Sequence, residues 1–206
     1  MRLAVSANRM QLLRLRKRLT LARRGHKLLK DKQDELMRRF MEALETVRGM
    51  RQEVEAHLAE AFRRFLLARS VMRDEAVESA LVLPSRRVNV RVDTKRVLNV
   101  QVPVFEVEEE GKIHCYGFAD TSGELDLSLV ELDQVVRQLV ELAQAEKTLE
   151  LLADEIEKTR RRVNALEYIL IPSFEETVKY ITMKLAEMER SNLTRLMRIK
   201  EMVQEK

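Results

Sequence analysis

Three histidines and one cysteine are the side chains with most chemistry to offer among these 206 residues, and their spacing argues against its use. His26, His57 and His114 stand too far apart in sequence for a zinc-ligand pattern, and Cys115 beside His114 reads as part of a strand rather than as a ligand pair. A nucleophilic Cys115 would need an activating base in a cleft, and nothing around it implies one. Asp and Glu are scattered along charged, helix-forming sequence without a distinctive acid-base pair. The five glycines are dispersed, so no loop cradles a phosphate and no nucleotide site is expected. No metal and no cofactor is expected, and neither is catalysis by this chain alone.

What remains as candidate chemistry is positive charge. Arg9, Arg14, Arg16, Lys17, Arg18, Arg23, Arg24, Lys27, Lys30 and Lys32 crowd the N-terminal stretch, and Arg160, Arg161 and Arg162 form a second cluster. Such runs either solubilise a helix or present a surface to an acidic partner. With 38 Lys+Arg against 34 Asp+Glu, the net charge is only +4, and Asp31, Asp34 and Glu35 come close behind the first cluster. Nucleic acid is therefore permitted but not expected as a partner. Aromatics at 4%, no Trp and three Pro are poor material for a globular core and suit long helices. A lone cysteine excludes an internal disulfide and agrees with a reducing compartment. No apolar run approaches the roughly 18 residues that span a bilayer, and the N-terminus lacks the core of a signal peptide, so a cytosolic protein is expected.

The elements that must carry these charges announce themselves by period. Val135, Leu142, Leu149, Ile156, Val163 and Leu170 return every seventh residue, with Gln138, Ala145, Leu152, Thr159 and Leu166 between them. That is a coiled-coil seam, and so narrow a stripe needs a partner helix. The same chain offers one in Leu12, Leu15, Leu19, Ala22, His26, Leu29, Gln33, Leu36, Phe40, Ala43, Val47 and Met50, continued through Val54, Leu58, Ala61, Phe65, Ala68 and Met72. Asn8 is the natural N-cap. No proline precedes Pro84, which predicts one helix over about 8–79, on the order of 100 Å at 1.5 Å per residue. Gly25 and Gly49 interrupt it at about 1 kcal/mol each against Ala, which marks Gly25 especially as a place where a partner could approach closely. His26 and Gln33, polar in the seam, are suited to setting register.

Between Pro84 and about Gly123 the pattern changes. Val88, Val90 and Val92 alternate with polar residues, and Val97, Val100, Val102, Val104 and Val107 form a β-branched stretch, so strands are expected. Turn chemistry at Glu110-Gly111 and Asp120-Thr121-Ser122-Gly123 brackets Ile113 to Phe118 as a further short strand. From about Leu127 to Val203 a second long helix is expected, interrupted only by Pro172, with the seam continuing through Leu170, Phe174, Val178, Ile181, Leu185 and Met188. The expected fold is mainly α: a long antiparallel two-helix coiled-coil hairpin over 1–79 and 127–206, with a strand-containing insert over 80–126 at its distal end. A trimeric or intermolecular coiled coil shares the same periodicity.

Two stretches carry a resemblance. ANRMQLLRLRKRLTLARRGHKLLKDKQDEL (7–36) and EKTRRRVNALEYILIP (157–172) closely resemble the two helical signatures of the D subunit of vacuolar and archaeal-type rotary ATPases, in the family's order and with its length and central insert. The resemblance implies a non-catalytic central rotor stalk that passes torque between a nucleotide-hydrolysing ring and a membrane rotor. It implies as partners the F subunit, the catalytic A and regulatory B subunits of the ring and a membrane-side connector subunit, on the cytoplasmic face of a membrane-bound complex. The expected partner contacts are Arg9, Arg16, Arg23, Gly25, His26, Lys27, Lys30 and Lys32 in the first signature. Arg160, Arg161, Arg162, Asn164 and Glu167 are their counterparts in the second, with Arg195, Arg198 and Lys200 near the C-terminus. The competing readings of the same periodicity are a static coiled-coil scaffold and a basic helical RNA-binding arm.

Overall fold

The computed structural model describes residues 5–119 and 121–204. It is mainly helical with one two-stranded antiparallel sheet. Helix α1 is Arg9–Val71, α2 is Asp74–Leu81, strands β1 and β2 are Arg87–Val97 and Val100–Glu110, α3 is Gly123–Asn164, a π-helical segment covers Ala165–Leu170, and α4 is Ile171–Gln204. The chain forms two compact units, one of Met1–Glu35 with Ile156–Lys206 and one of Leu36–Glu155.

In the unit that holds the termini, α1 starts where Asn8 was expected to cap it. Its Oδ1 accepts the Met10 N–H at 2.9 Å, and its carbonyl accepts that of Leu12 at 3.0 Å. Leu15 from α1 and Ile156, Val163 and Ile181 from the C-terminal half are the buried apolar residues. Arg9 pairs with Glu189, and Arg23 Nη2 donates to Glu175 Oε1 at 2.7 Å. Positions rise on one helix as they fall on the other, so the pair is antiparallel.

Pro172 was expected to be the only interruption of the second long helix, but the departure lies just before it. A proline has no N–H and its ring clashes with the carbonyl four residues back. The backbone widens over Ala165–Leu170, where the Ile171 N–H reaches Leu166 O, five residues back, and Pro172, which has no N–H to add to the ladder, follows directly as the helix continues into α4. The wider turn also rotates the helix beyond it. Leu170, placed in the seam by its period, is exposed, and Ser173 and Thr177 are buried in its stead; Phe174, Val178 and Leu185 are half-buried and Ile181 is buried, as the seam required, while Met188 at its end is exposed. Thr177 and Ser173 donate to the carbonyls of Ser173 and Leu170 at 2.6 and 2.9 Å.

In the other unit, Val54 of α1 packs with Val135 and Leu142 of α3, flanked by Val47, Met50 and Leu58. Arg51 donates to Glu146 at 2.8 Å, His57 lies 2.8 Å from Glu131, and Ser128 Oγ donates to Ala61 O at 3.0 Å, again an antiparallel pairing. The helix expected to reach Ser79 instead ends at Val71, and Arg73 is extended. The reason is packing: Ala68 and Ala80 share a buried cluster with Leu125, whereas twelve residues of straight helix would hold them about 18 Å apart. The chain therefore turns at Met72–Arg73, and α2 restarts with Asp74 and Glu75 at its positive end. Helix α3 begins at Gly123, earlier than the expected Leu127, because Ser122 Oγ accepts the Glu124 N–H at 3.3 Å and Ser122 O accepts that of Leu125 at 3.0 Å. Asp120 of the expected turn lies outside the described residues.

Strands β1 and β2 pair from Arg87↔Glu110 to Val97↔Val100 around a two-residue turn. Leu98 (φ 49°) and Asn99 (φ 69°) both adopt the left-handed conformation that such a turn requires. The hairpin is fastened to α3. Arg86 bonds Asp133 through Nε at 2.8 Å and Nη2 at 2.9 Å, both Arg86 and Arg137 bond Glu109, and Gln144 Oε1 accepts the Phe105 N–H at 2.6 Å.

Ile113–Phe118, expected to be a third strand, is not one. Gly111 takes φ +89°, where an added Cβ would lie 2.0 Å from Ser85 O, and this ends β2. On the side of β2 where a strand following in sequence would pair, the outward N–H of Phe105 is taken by Gln144 of α3. Side chains hold the segment instead: His114, Tyr116 and Phe118 stack edge-on or tilted, Cys115 Sγ donates to Leu83 O at 3.1 Å, and Tyr116 donates to Asp126. Burial, and then the bond to Asp126, push the Tyr116 phenol well above its usual range.

Candidate partner-contact surface

The two signature stretches were singled out by resemblance, and the structure brings them face to face in the unit that holds the termini. His26 Nε2 lies 3.3 Å from Glu167 Oε2, one turn of α1 beyond the Arg23 to Glu175 bond. His26 is half-buried in the seam, where it was expected to help set register, and its partner comes from the π-helical segment. Of the expected contact residues, Arg9, Arg23, His26 and Glu167 are thus engaged within the chain. Each such pair is largely solvated and worth about 0 to 1 kcal/mol, so it orients the helices more than it holds them.

The remaining candidates fall into two groups. Arg16, Lys27, Lys30, Arg160, Arg162, Asn164, Arg195, Arg198 and Lys200 are exposed, and Arg161 is exposed while bonded to Glu157 one turn back on its own helix. Lys32 is half-buried and engaged within the chain. From Ala186 to the end of α4 every described side chain is exposed, including Leu193, Leu196, Met197, Ile199, Met202 and Val203. This exposed apolar series escapes a search for charge, but it was visible as the continuation of helix past the last seam residue.

Gly25 is half-buried, Gly49 exposed, and a Cβ added at either meets nothing within 4 Å. No close approach within the chain explains them. Gly49→Ala is expected to raise the stability of the isolated chain by roughly 0.5 to 1 kcal/mol in denaturant unfolding, and Gly25→Ala by a similar amount. A partner that packs against Gly25 would separate the two, since only Gly25→Ala would then weaken the complex.

One polar residue in the second signature is unsatisfied. Thr159 is fully buried, and its Oγ1 has no hydrogen-bond partner among the described residues. A buried hydroxyl without a partner costs about 1 to 3 kcal/mol. Thr159→Val keeps the shape and removes the orphan oxygen, so it should stabilise the chain by about 1 kcal/mol, read as a higher unfolding midpoint at unchanged slope.

None of this arrangement offers a nucleophile beside a base. Among the described residues, no three His, Cys, Asp or Glu gather as a metal site would require, and no helix is long and apolar enough to cross a membrane. Residues 11–201 match the protein family of the ATP synthase D subunit. The chain belongs to that family. It is 52% identical over 205 residues to the V-type ATP synthase D subunit of Acetivibrio thermocellus, covering 98% of this chain and 92% of that relative. The D subunit of a Thermoanaerobacter species is 52% identical over 201 residues, covering 97% and 96%, and that of Clostridium botulinum 51% over 211 residues, covering 100% and 98%. The chain is accordingly a stalk component of a V/A-type ATPase and not the catalytic one.

Proposed function

We propose that this D subunit is the rotor shaft that carries torque between a nucleotide-hydrolysing ring of A and B subunits and an ion-translocating membrane rotor, on the cytoplasmic face of the membrane. The observation that carries the reading is the pairing of the two signature helices along an apolar seam, with ion pairs at its flanks and basic residues turned outward. Two helices joined along a seam resist twisting better than one, and a shaft needs that stiffness. The exposed basic residues Arg16, Lys27, Lys30, Arg195, Arg198 and Lys200 suit acidic loops of a surrounding ring, because solvated charge pairs are weak and exchangeable and let a shaft turn. In this proposal the unit with both termini enters the ring, while the unit with the hairpin faces the F subunit and the membrane-side connector. The chain itself binds no nucleotide tightly and turns none over.

The test is reconstitution. A complex assembled without this chain should hydrolyse ATP without moving ions, and addition of the chain should restore ion movement in step with hydrolysis. Restored assembly without restored coupling would assign the chain to a static scaffold instead.

A further inference from the structure

The two edges of the β-hairpin are treated differently. A two-residue turn makes Val97 and Val100 the first hydrogen-bonded pair, and the alternation of an antiparallel ladder then directs the N–H and C=O of Val88, Val90, Val92, Thr94 and Arg96 away from β2. Two features agree with this phase. Pro103, which has no N–H, lies opposite Thr94, where the ladder needs none, and the outward N–H of Phe105 is the one that Gln144 takes. The outer edge of β2 is thereby engaged by α3 at Phe105. The outer edge of β1 is not: the strand is exposed from Arg87 to Arg96, and among the described residues no hydrogen bond reaches its outward backbone. An open edge of this length is a template for another strand.

Its charge selects the occupant. Arg87, Arg91 and Lys95 share one face of β1 with the single acid Asp93, and Arg96 lies on the other. The strand already paired with β1 carries Glu106, Glu108 and Glu110 on the corresponding face, and Arg91 Nη1 sits 3.0 Å from Glu108 Oε1. A second copy of β1 would bring Arg and Lys against Arg and Lys, which disfavours pairing between copies. We infer that the free edge of β1 accepts an extended segment of a partner protein as a third strand, one with acidic residues at alternate positions, as β2 has. Backbone bonds to the five outward positions supply affinity, and the face of Arg87, Arg91 and Lys95 supplies selection by charge. Val88, Val90 and Val92, on the opposite face, favour β-branched residues at the alternate places. This inference stands apart from the rotor reading, and either can fail alone.

The probe is a labelled nine-residue peptide of alternating Glu and Val, titrated into the full chain beside its Lys and Val counterpart. The Glu peptide should bind about tenfold tighter or more, and Arg91→Glu with Lys95→Glu should invert the preference. Methylation of alternate backbone nitrogens of the Glu peptide should abolish binding. In amide exchange, Val88, Val90 and Val92 should become protected on binding, while Asn89 and Arg91, already in the ladder, should be protected throughout. That internal protection shows that the hairpin survives in the charge-reversed chain; if it does not, Arg91→Gln with Lys95→Gln replaces it and should lower affinity for the Glu peptide. Binding indifferent to charge or to backbone methylation would overturn the proposal, as would no binding with the hairpin intact. Self-association of the chain that disappears in the charge-reversed variant would assign the edge to a second copy.

Discussion

With Cys115→Ser as background, Arg198→Cys should crosslink to the catalytic ring of a reconstituted complex, and the tethered complex should lose nearly all ATP turnover and regain it on reduction. The background substitution is needed because Cys115 is itself exposed. Arg198 is chosen because α4 is exposed around it and carries Arg195 and Lys200 nearby, so a thiol there is accessible to a surrounding wall. A shaft completes its cycle by turning against the ring, and one covalent bond forbids that, whereas weak charge pairs do not. The control thiol belongs in the hairpin unit, where no crosslink to the axial channel is expected. Gly111 cannot host it, since an added Cβ would meet Ser85 O at 2.0 Å, so the exposed neighbour Lys112→Cys is used. Reversing Arg195, Arg198 and Lys200 together to Glu should lower coupling more than assembly. A crosslink from position 112 with none from 198 would invert the orientation.

Leu125→Ala should destabilise the hairpin unit by about 2 to 5 kcal/mol, the range for emptying a large buried aliphatic site. Leu125 has no exposed surface and joins Ala68 of α1 and Ala80 of α2 in one cluster, with Phe65, Met72, Tyr116 and Leu129 around it. It is the point where α2 and the aromatic segment are held to the two long helices, so its loss cannot be repaired by a small shift of one neighbour. Denaturant unfolding should show a lower midpoint, and amide exchange should rise first in α2 and around residues 113–118. Leu125→Met, which conserves volume, should cost less than about 1.5 kcal/mol. A midpoint for the alanine variant within error of the original would show that the cluster does not hold these segments.

Helical periodicity carried much of this fold on its own. The seam from Val135 to Val163 and its partner from Leu12 to Met72 are buried or half-buried as their 3-4 spacing required, because helix geometry is local and an apolar stripe dictates which face is covered. Asn8 as a cap and the alternation of Val88, Val90 and Val92 are equally local. The signature stretches also pointed to the family, although spacing alone could not tell that His26 would meet Glu167. What the residues did not announce are the places where distant segments overrule local preference. Nothing between Leu67 and Ser79 breaks a helix, yet the chain turns at Met72–Arg73 so that Ala80 can reach Ala68 and Leu125. Leu170 keeps its heptad place and is nonetheless exposed, because accommodation of Pro172 widens the preceding turn and rotates Ser173 and Thr177 inward. Ile113–Phe118 has the composition of a strand, but the side of β2 beside which it would follow in a meander is met by α3 through Gln144 and Arg137. A strand is defined by its neighbour, and only the tertiary structure decides which neighbour is there.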